Sequence, residues 1–433
     1  MATSAQTKPS ARSPRTQWRR LSEVEVSPRV VGVLLVLGVA GLLVAAWFVH
    51  QPTGFRPWLF ENRYDNVFDD LLARREQILT LKATGNIYEP FAAQAFTYPP
   101  GAIFAFYWTT WIGISAVPLT WTLLSLGSMT VAFAMVLRTF NRLKISLALA
   151  LGCWLTLLTL AIYPPFAEGI EFGQLAPTIL ALVLLDELVV RGKMRGVAIG
   201  IASAIKLYPL VFVVAWALRR QWRDVVTALG TFFGLTALAS LMWPKSAQSF
   251  FVDLLWNGED FKHMSDNVAT FVASQSISAM LTRPPVSLSP HGQLPAYLVA
   301  GIVALIAIYG AHHLWLRGAR LSSAVVLLTA SSVCSPVAWD HYFSYAPLVW
   351  WVAVEAGSRS RLRVASIVAG VVWLVPWNFF RREPSTTPWV AFYEFISRNA
   401  IGFAAVAIIL AAGLDAWHPR RAEVLDQEPS IAA

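Results

Sequence analysis

Three aspartates, Asp65, Asp69 and Asp70, stand in the stretch NRYDNVFDDLLARREQILTLKATGNIY (62–88), shortly after a long apolar run. A carboxylate at the mouth of an apolar cavity can act as a general base. It takes a proton from an incoming hydroxyl and speeds its attack by about 10²–10⁴-fold. The same acids could simply face water on an interfacial helix, because Phe68, Leu71, Leu72, Ile78, Leu79 and Leu81 recur at roughly helical spacing. Spacing does not choose among the three aspartates.

Other chemistry-bearing side chains are few. Lys206 lies inside an apolar run, where a charge costs about 2.5–3.5 kcal/mol on insertion scales, so it is either functional or snorkels toward an interface. His341, in AWDHY, could donate to a phosphate as a cation, with Asp340 orienting or charging it. Arg381 and Arg382 could reach a lipid phosphate or anchor the surface. Asp186 and Glu187 face the basic turn RGKMR and read as paired, while His312 and His313 read as structural. Neither a disulfide framework nor a metal-ligand cluster is legible around the two cysteines, Cys153 and Cys334.

The elements that carry these residues follow from composition. Of 433 residues, 56% are hydrophobic and 14% charged, against about 25% charged in soluble domains, which makes the chain a polytopic membrane protein. The formal charge of +9 sits in short basic turns between apolar runs and so argues for membrane topology, not for nucleic acid. Residues 1–29 read as a disordered, basic cytoplasmic tail and 418–433 as a second tail. The apolar run from Val30 reads as an uncleaved anchor, being longer than a signal sequence needs.

Hydropathy predicts spans near 30–49, 118–138, 146–163, 174–190, 224–243, 296–316, 321–339, 342–357, 363–380 and 396–416. The proline-rich 98–117 segment reads as re-entrant, and 196–218, interrupted by IKLYP, as a hairpin of two half-helices or one long helix. The re-entrant and hairpin readings together put the clusters at 138–144, 191–195, 219–223, 317–320 and 358–363 on the cytoplasmic side. The expectation is an all-α bundle of about twelve membrane helices with both termini inside. The 30–417 domain would then expose loops 50–97 and 244–294 to the exterior. Polar residues gathered on one face without repeated halves favour an enzyme over a transporter.

The stretches DLLARREQILTLKATGNIY, FTYPPGAIF, EFGQLAPTILAL, IKLYPLVFVV and SPVAWDHYF, in this order, resemble glycosyltransferase family 87 of the GT-C superfamily. The resemblance implies an integral plasma-membrane enzyme that takes a sugar from a polyprenyl monophosphate donor at the exterior face. It implies a catalytic aspartate followed at a distance by a glycine and a tyrosine, which Gly85 and Tyr88 match when Asp70 is the base. Leu71, Leu72 and Ala73 replace the family's usual aromatic residue after that aspartate, which keeps Asp69 and Asp65 as alternatives.

His341, where the family commonly has a histidine, and Lys206, Arg381 and Arg382, by their charge and position, would bind the donor phosphate. Gln174, Gln275, Ser276, Asp340 and Tyr98 would bind sugar or acceptor, with no cofactor or metal. Mannose on a mannosylated glycolipid or lipoglycan is the expected transfer. Arabinofuranosyl transfer from polyprenyl-phosphate arabinose is the alternative within the class, and a lipid or solute transporter the alternative outside it.

Overall fold

The computed structural model describes residues 26–50, 68–89, 96–257, 274–283, 286, 294–377 and 387–417. Among these residues the chain is helical, and its only extended pairing is an isolated antiparallel bridge between Ser274 and Trp339. A helix satisfies its own backbone groups, which hydrocarbon cannot do, so apolar runs of this length take that form.

The first half comprises α1 (Pro28–His50), α2 (Asp69–Thr84), α3 (Val117–Asn141), α4 (Ile145–Ile162), α5 (Pro164–Glu171) and α6 (Ala176–Leu184). After them come α7 (Val197–Ile205), α8 (Leu210–Leu218) and α9 (Trp222–Met242). The last part holds α10 (Leu294–Leu316), α11 (Arg320–Val333), α12 (Val349–Glu355), α13 (Arg361–Val372) and α14 (Pro388–Trp417). Six of these (α1, α3, α4, α9, α10 and α14) are long and apolar enough to cross a membrane, or seven if α5 and 176–189 form one bent span.

Several boundaries differ from the hydropathy reading, and prolines account for most of them. The turn expected at 163–174 contains α5, which Pro164 and Pro165 open, and which lies at 118° to the helix that follows. The span expected at 342–357 begins instead with 3-10 turns at Asp340–Phe343 and Ala346–Leu348, and α12 has only seven residues. Pro347 supplies no N–H for a longer helix there. Residues 98–117, read as re-entrant, carry 3-10 turns at Pro100–Ala102, Trp108–Thr110 and Ile114–Ala116 and a short α-helix at Ile103–Tyr107.

The 196–218 segment folds back on itself. Arg195 and Arg219 flank it, yet both guanidinium groups approach Glu187 Oε2, at 3.7 and 4.0 Å. A continuous helix of that length would hold its ends roughly 35 Å apart. Contacts with α9 agree. Gly196 faces Asp224 and Ala228, and Gly200 faces Ala228 and Thr231, so α7 and α9 run in the same direction and α8 must return the chain. The tip of this hairpin is Lys206–Pro209, and Gly101 packs against the backbone of Ala204 just before it.

The hairpin's feet are locked by buried charge. Arg195 pairs with Asp224 at 2.8 Å, Trp216 Nε1 donates to Glu187 Oε1 at 2.6 Å, and Arg219 donates to Ser323 Oγ at 2.7 Å. Breaking such a buried pair typically costs about 3–5 kcal/mol, because the remaining charge is stranded. Asp186 and Glu187 thus belong to this network. Arg191 also feels the charges of Arg320 and Arg195, so three of the basic turns share one end of the bundle.

Candidate active site

The site is built where α2 meets the bend between α5 and α6. Phe68 caps α2 in the left-handed region (φ 67°), and its N–H donates to Glu171 O at 2.7 Å. Asp69 and Asp70 occupy the first turn, where the helix dipole favours negative charge. The buried face carries Leu71, Arg74, Gln77, Ile78 and Leu81. Gly173, at φ +67°, lets Leu71 close in: a Cβ on Gly173 would lie 2.5 Å from Leu71 Cβ.

That docking brings the next residue, Gln174, onto Asp70. Its Nε2 donates to Asp70 Oδ2 at 2.5 Å, and its Oε1 accepts from Lys206 Nζ at 3.2 Å. The Gln174 side chain is buried, and its backbone N–H is tied to Gly169 O at 2.8 Å. A single amide therefore joins a carboxylate to an ammonium. Lys206, in extended backbone at the hairpin tip, is half-buried, and its Nζ sits 4.4 Å from the Tyr342 ring centroid and 5.2 Å from that of Tyr98.

Tyr98 is buried against Phe96 and Phe106, and burial, offset in part by Arg74, pushes its phenol up to about 12, so it stays neutral. Its carbonyl accepts from the Tyr88 hydroxyl at 2.7 Å. Gly85, left-handed at φ 81°, ends α2 and turns the chain toward that tyrosine. Ile87 N–H donates to Ser246 Oγ at 2.9 Å, fixing the loop to the segment after α9.

His341 joins this region through its ring neighbours. It is buried between Phe172, Trp339 and Tyr342, with ring centroids 6.1, 6.4 and 5.1 Å away. Its Nε2 finds no hydrogen-bond partner among the described residues. Burial, and secondly the charge of Lys206, hold the imidazole well below its ordinary range, so it is neutral in the resting site. The imidazole is thus neutral where the sequence suggested a cation. Asp340 is buried beside it.

Gln275 and Ser276 lie elsewhere in the hydrogen-bond network. Ser276 Oγ caps the Ile277–Thr282 helix by accepting from Ala279 N–H at 3.1 Å, and donates to Pro336 O at 3.0 Å. Gln275 N–H donates to Ala338 O at 2.5 Å, while its side chain bridges Arg398 O and Gly402 N–H on α14. Both residues staple the loop that carries His341, and neither bonds to Asp70, Gln174 or Lys206. Asp65, Arg381 and Arg382 lie outside the described residues.

Two contributors escaped the sequence reading. Tyr342 packs its ring against the Lys206 ammonium. Arg74 sits over Tyr98, 5.4 Å from the ring centroid, and a sequence signal for it existed: it falls on the buried stripe between Leu71 and Ile78.

The arrangement offers a carboxylate with one oxygen held, and cations and aromatic rings beside it. It suits deprotonation of a hydroxyl next to a bound anion. Residues 96–336, more than half of the chain, match glycosyltransferase family 87. The chain belongs to this family. The match spans Tyr98, Gln174 and Lys206; Asp70 and His341 flank it.

Relatives of this family-87 glycosyltransferase extend the likeness further. A polyprenol-phosphate-mannose-dependent α-(1-2)-phosphatidylinositol mannoside mannosyltransferase of Mycobacterium tuberculosis is 26% identical over 336 residues, covering 74% of this chain and 76% of the relative. A polyprenol-phosphate-mannose-dependent α-(1-2)-phosphatidylinositol pentamannoside mannosyltransferase of Mycolicibacterium smegmatis is 26% identical over 306 residues, covering 67% of this chain and 69% of the relative. No solved structure matches the chain.

Proposed function

We propose that this glycosyltransferase moves mannose, with inversion, from polyprenyl-phosphate mannose to a mannosylated glycolipid or lipoglycan such as a phosphatidylinositol mannoside. The observation that carries the reading is the Asp70 carboxylate held at 2.5 Å by Gln174, whose other amide atom accepts from Lys206. The names of the mycobacterial relatives support both the donor and the class of acceptor.

In this mechanism Asp70 is the base and takes the acceptor's proton as the oxygen attacks the anomeric carbon. The lipid phosphate departs from the opposite side and is already a good leaving group, so it needs positive charge and donors more than an acid. Lys206 supplies charge, and the unengaged Nε2 of neutral His341 can donate to a phosphate oxygen when it carries the proton. Tyr98, Gln174 and Asp340 border the space for sugar and acceptor.

The site would open at the exterior face of the plasma membrane, with both termini cytoplasmic and about twelve helices in the bilayer once hairpin arms and short helices are included. The gathering of Arg191, Arg195, Arg219 and Arg320 at the hairpin's feet, with Lys206 at its tip, supports this orientation.

The purified protein in lipid, offered radiolabelled polyprenyl-phosphate mannose and polyprenyl-phosphate arabinose in separate reactions with an envelope glycolipid extract, tests the reading. Label transferred from the mannose donor is the expected result. Transfer from the arabinose donor alone would replace the sugar while leaving the mechanism intact.

A further inference from the structure

A buried cation beside the Asp70–Gln174–Lys206 contacts has no part yet in the reaction. Arg74 lies one helical turn beyond Asp70 and is only 7% exposed. It takes a position on the apolar stripe of α2 where a leucine would pack without a desolvation cost. Its guanidinium stands 5.4 Å from the Tyr98 ring centroid and 5.9 Å from that of Phe96, and it donates to Gln77 Oε1 at 2.8 Å. The Lys206 ammonium meets the same Tyr98 ring at 5.2 Å. Two cations thus converge on one aromatic side chain, close enough for their like charges to act on each other. Packing like charges together in a buried place is costly, and a bound anion lowers that cost.

We propose that Arg74 is a second receptor for the donor phosphate, and that it balances the negative charge that moves from Asp70 to the phosphate during transfer. The inference rests on the donor proposed above. Before reaction the site holds two anions, the Asp70 carboxylate and the phosphodiester of the lipid-linked sugar. The acceptor hydroxyl gives its proton to Asp70, its oxygen bonds to the anomeric carbon, and the bond from that carbon to the phosphate oxygen breaks. The electron pair stays on the phosphate. Asp70 ends neutral and the lipid phosphate gains one negative charge, so the total is unchanged while the charge shifts.

A guanidinium one turn along the helix from the base is placed to serve both ends of that shift. Its planar fork fits two phosphate oxygens at once, which the point charge of Lys206 does not do. Held by Gln77 and Tyr98 before substrate arrives, it needs little reorganisation when the charge develops.

The test is binding of undecaprenyl monophosphate to the full-length protein in nanodiscs, with phosphate-free undecaprenol as control, for wild type, R74K and R74Q. The expected result is that R74Q binds the monophosphate about tenfold or more weakly, R74K falls between, and undecaprenol binding does not change. A folded R74Q with wild-type affinity for the monophosphate would overturn the inference, whatever its melting temperature. If R74Q does not fold, R74K decides, and wild-type affinity in R74K overturns the inference. A wild-type protein that prefers undecaprenol to its monophosphate would overturn the donor assignment itself, and the inference with it.

Discussion

Gln174 reaches across 104 positions of sequence to donate to Asp70 Oδ2 at 2.5 Å, while its carbonyl oxygen accepts from Lys206. The amide therefore fixes one carboxylate oxygen and leaves the other for an incoming hydroxyl. It also ties the base to the Lys206 ammonium.

Replacing that amide should misalign the base. Q174L removes both hydrogen bonds without much change in volume, and a hydrogen bond to a charged group is worth about 1.5–3 kcal/mol. We expect kcat to fall about ten- to hundredfold, with donor KM changing much less. Steady-state kinetics on the purified variant would show it; an unchanged kcat would mean that Asp70 is held by other groups.

The turn beneath the base is equally testable. Gly173 adopts φ +67°, and an added Cβ would lie 2.5 Å from Leu71 Cβ. G173A combines a left-handed alanine with overpacking, together about 1–3 kcal/mol. Because Leu71 follows Asp70 directly, we expect activity to drop along with the melting temperature, measured in detergent or nanodiscs. A variant with wild-type activity would show that α2 does not depend on this bend for its position.

The hairpin was one of two readings the sequence left open at 196–218, and the helical spacing of α2 was legible for physical reasons. Basic residues at both ends of 196–218, with Pro209 between, leave few ways to keep Arg195 and Arg219 at one surface, and their shared approach to Glu187 is the result. A break at 163–174 was legible, but α5 inside it and its 118° bend were not, because Glu168 and Glu171 make the short helix that Pro164 and Pro165 open look like a polar turn. Arg74 and Arg75 are adjacent and identical in type, yet only Arg74 is buried; Arg75 instead donates to Thr109 O at 3.3 Å. Only the register of the helix separates them. Gln275 and Ser276 stood out as polar residues in a loop, but which backbone groups they would meet depends on α14 and the 336–339 loop, far off in sequence.

His341 provides a pH test. Burial first, and Lys206 second, hold its folded-state pKa well below the ordinary 6.5. The folded protein then binds fewer protons at this group than the unfolded chain does. Its contribution favours folding above that ordinary value and is lost as pH falls below it. H341N cannot titrate, so its melting temperature should drop less than that of wild type between about pH 7 and 5. Equal losses in the two proteins would place His341 in a wetter or more acidic setting.

The most direct measurement compares wild type with D70N for two quantities in one preparation, namely binding of polyprenyl-phosphate mannose and formation of mannosylated glycolipid. The account predicts that D70N binds the donor as wild type does while product formation falls by about 10²–10⁴-fold, the usual worth of a general base. Product formation at the wild-type rate in D70N would contradict it and move the base to Asp69 or Asp65.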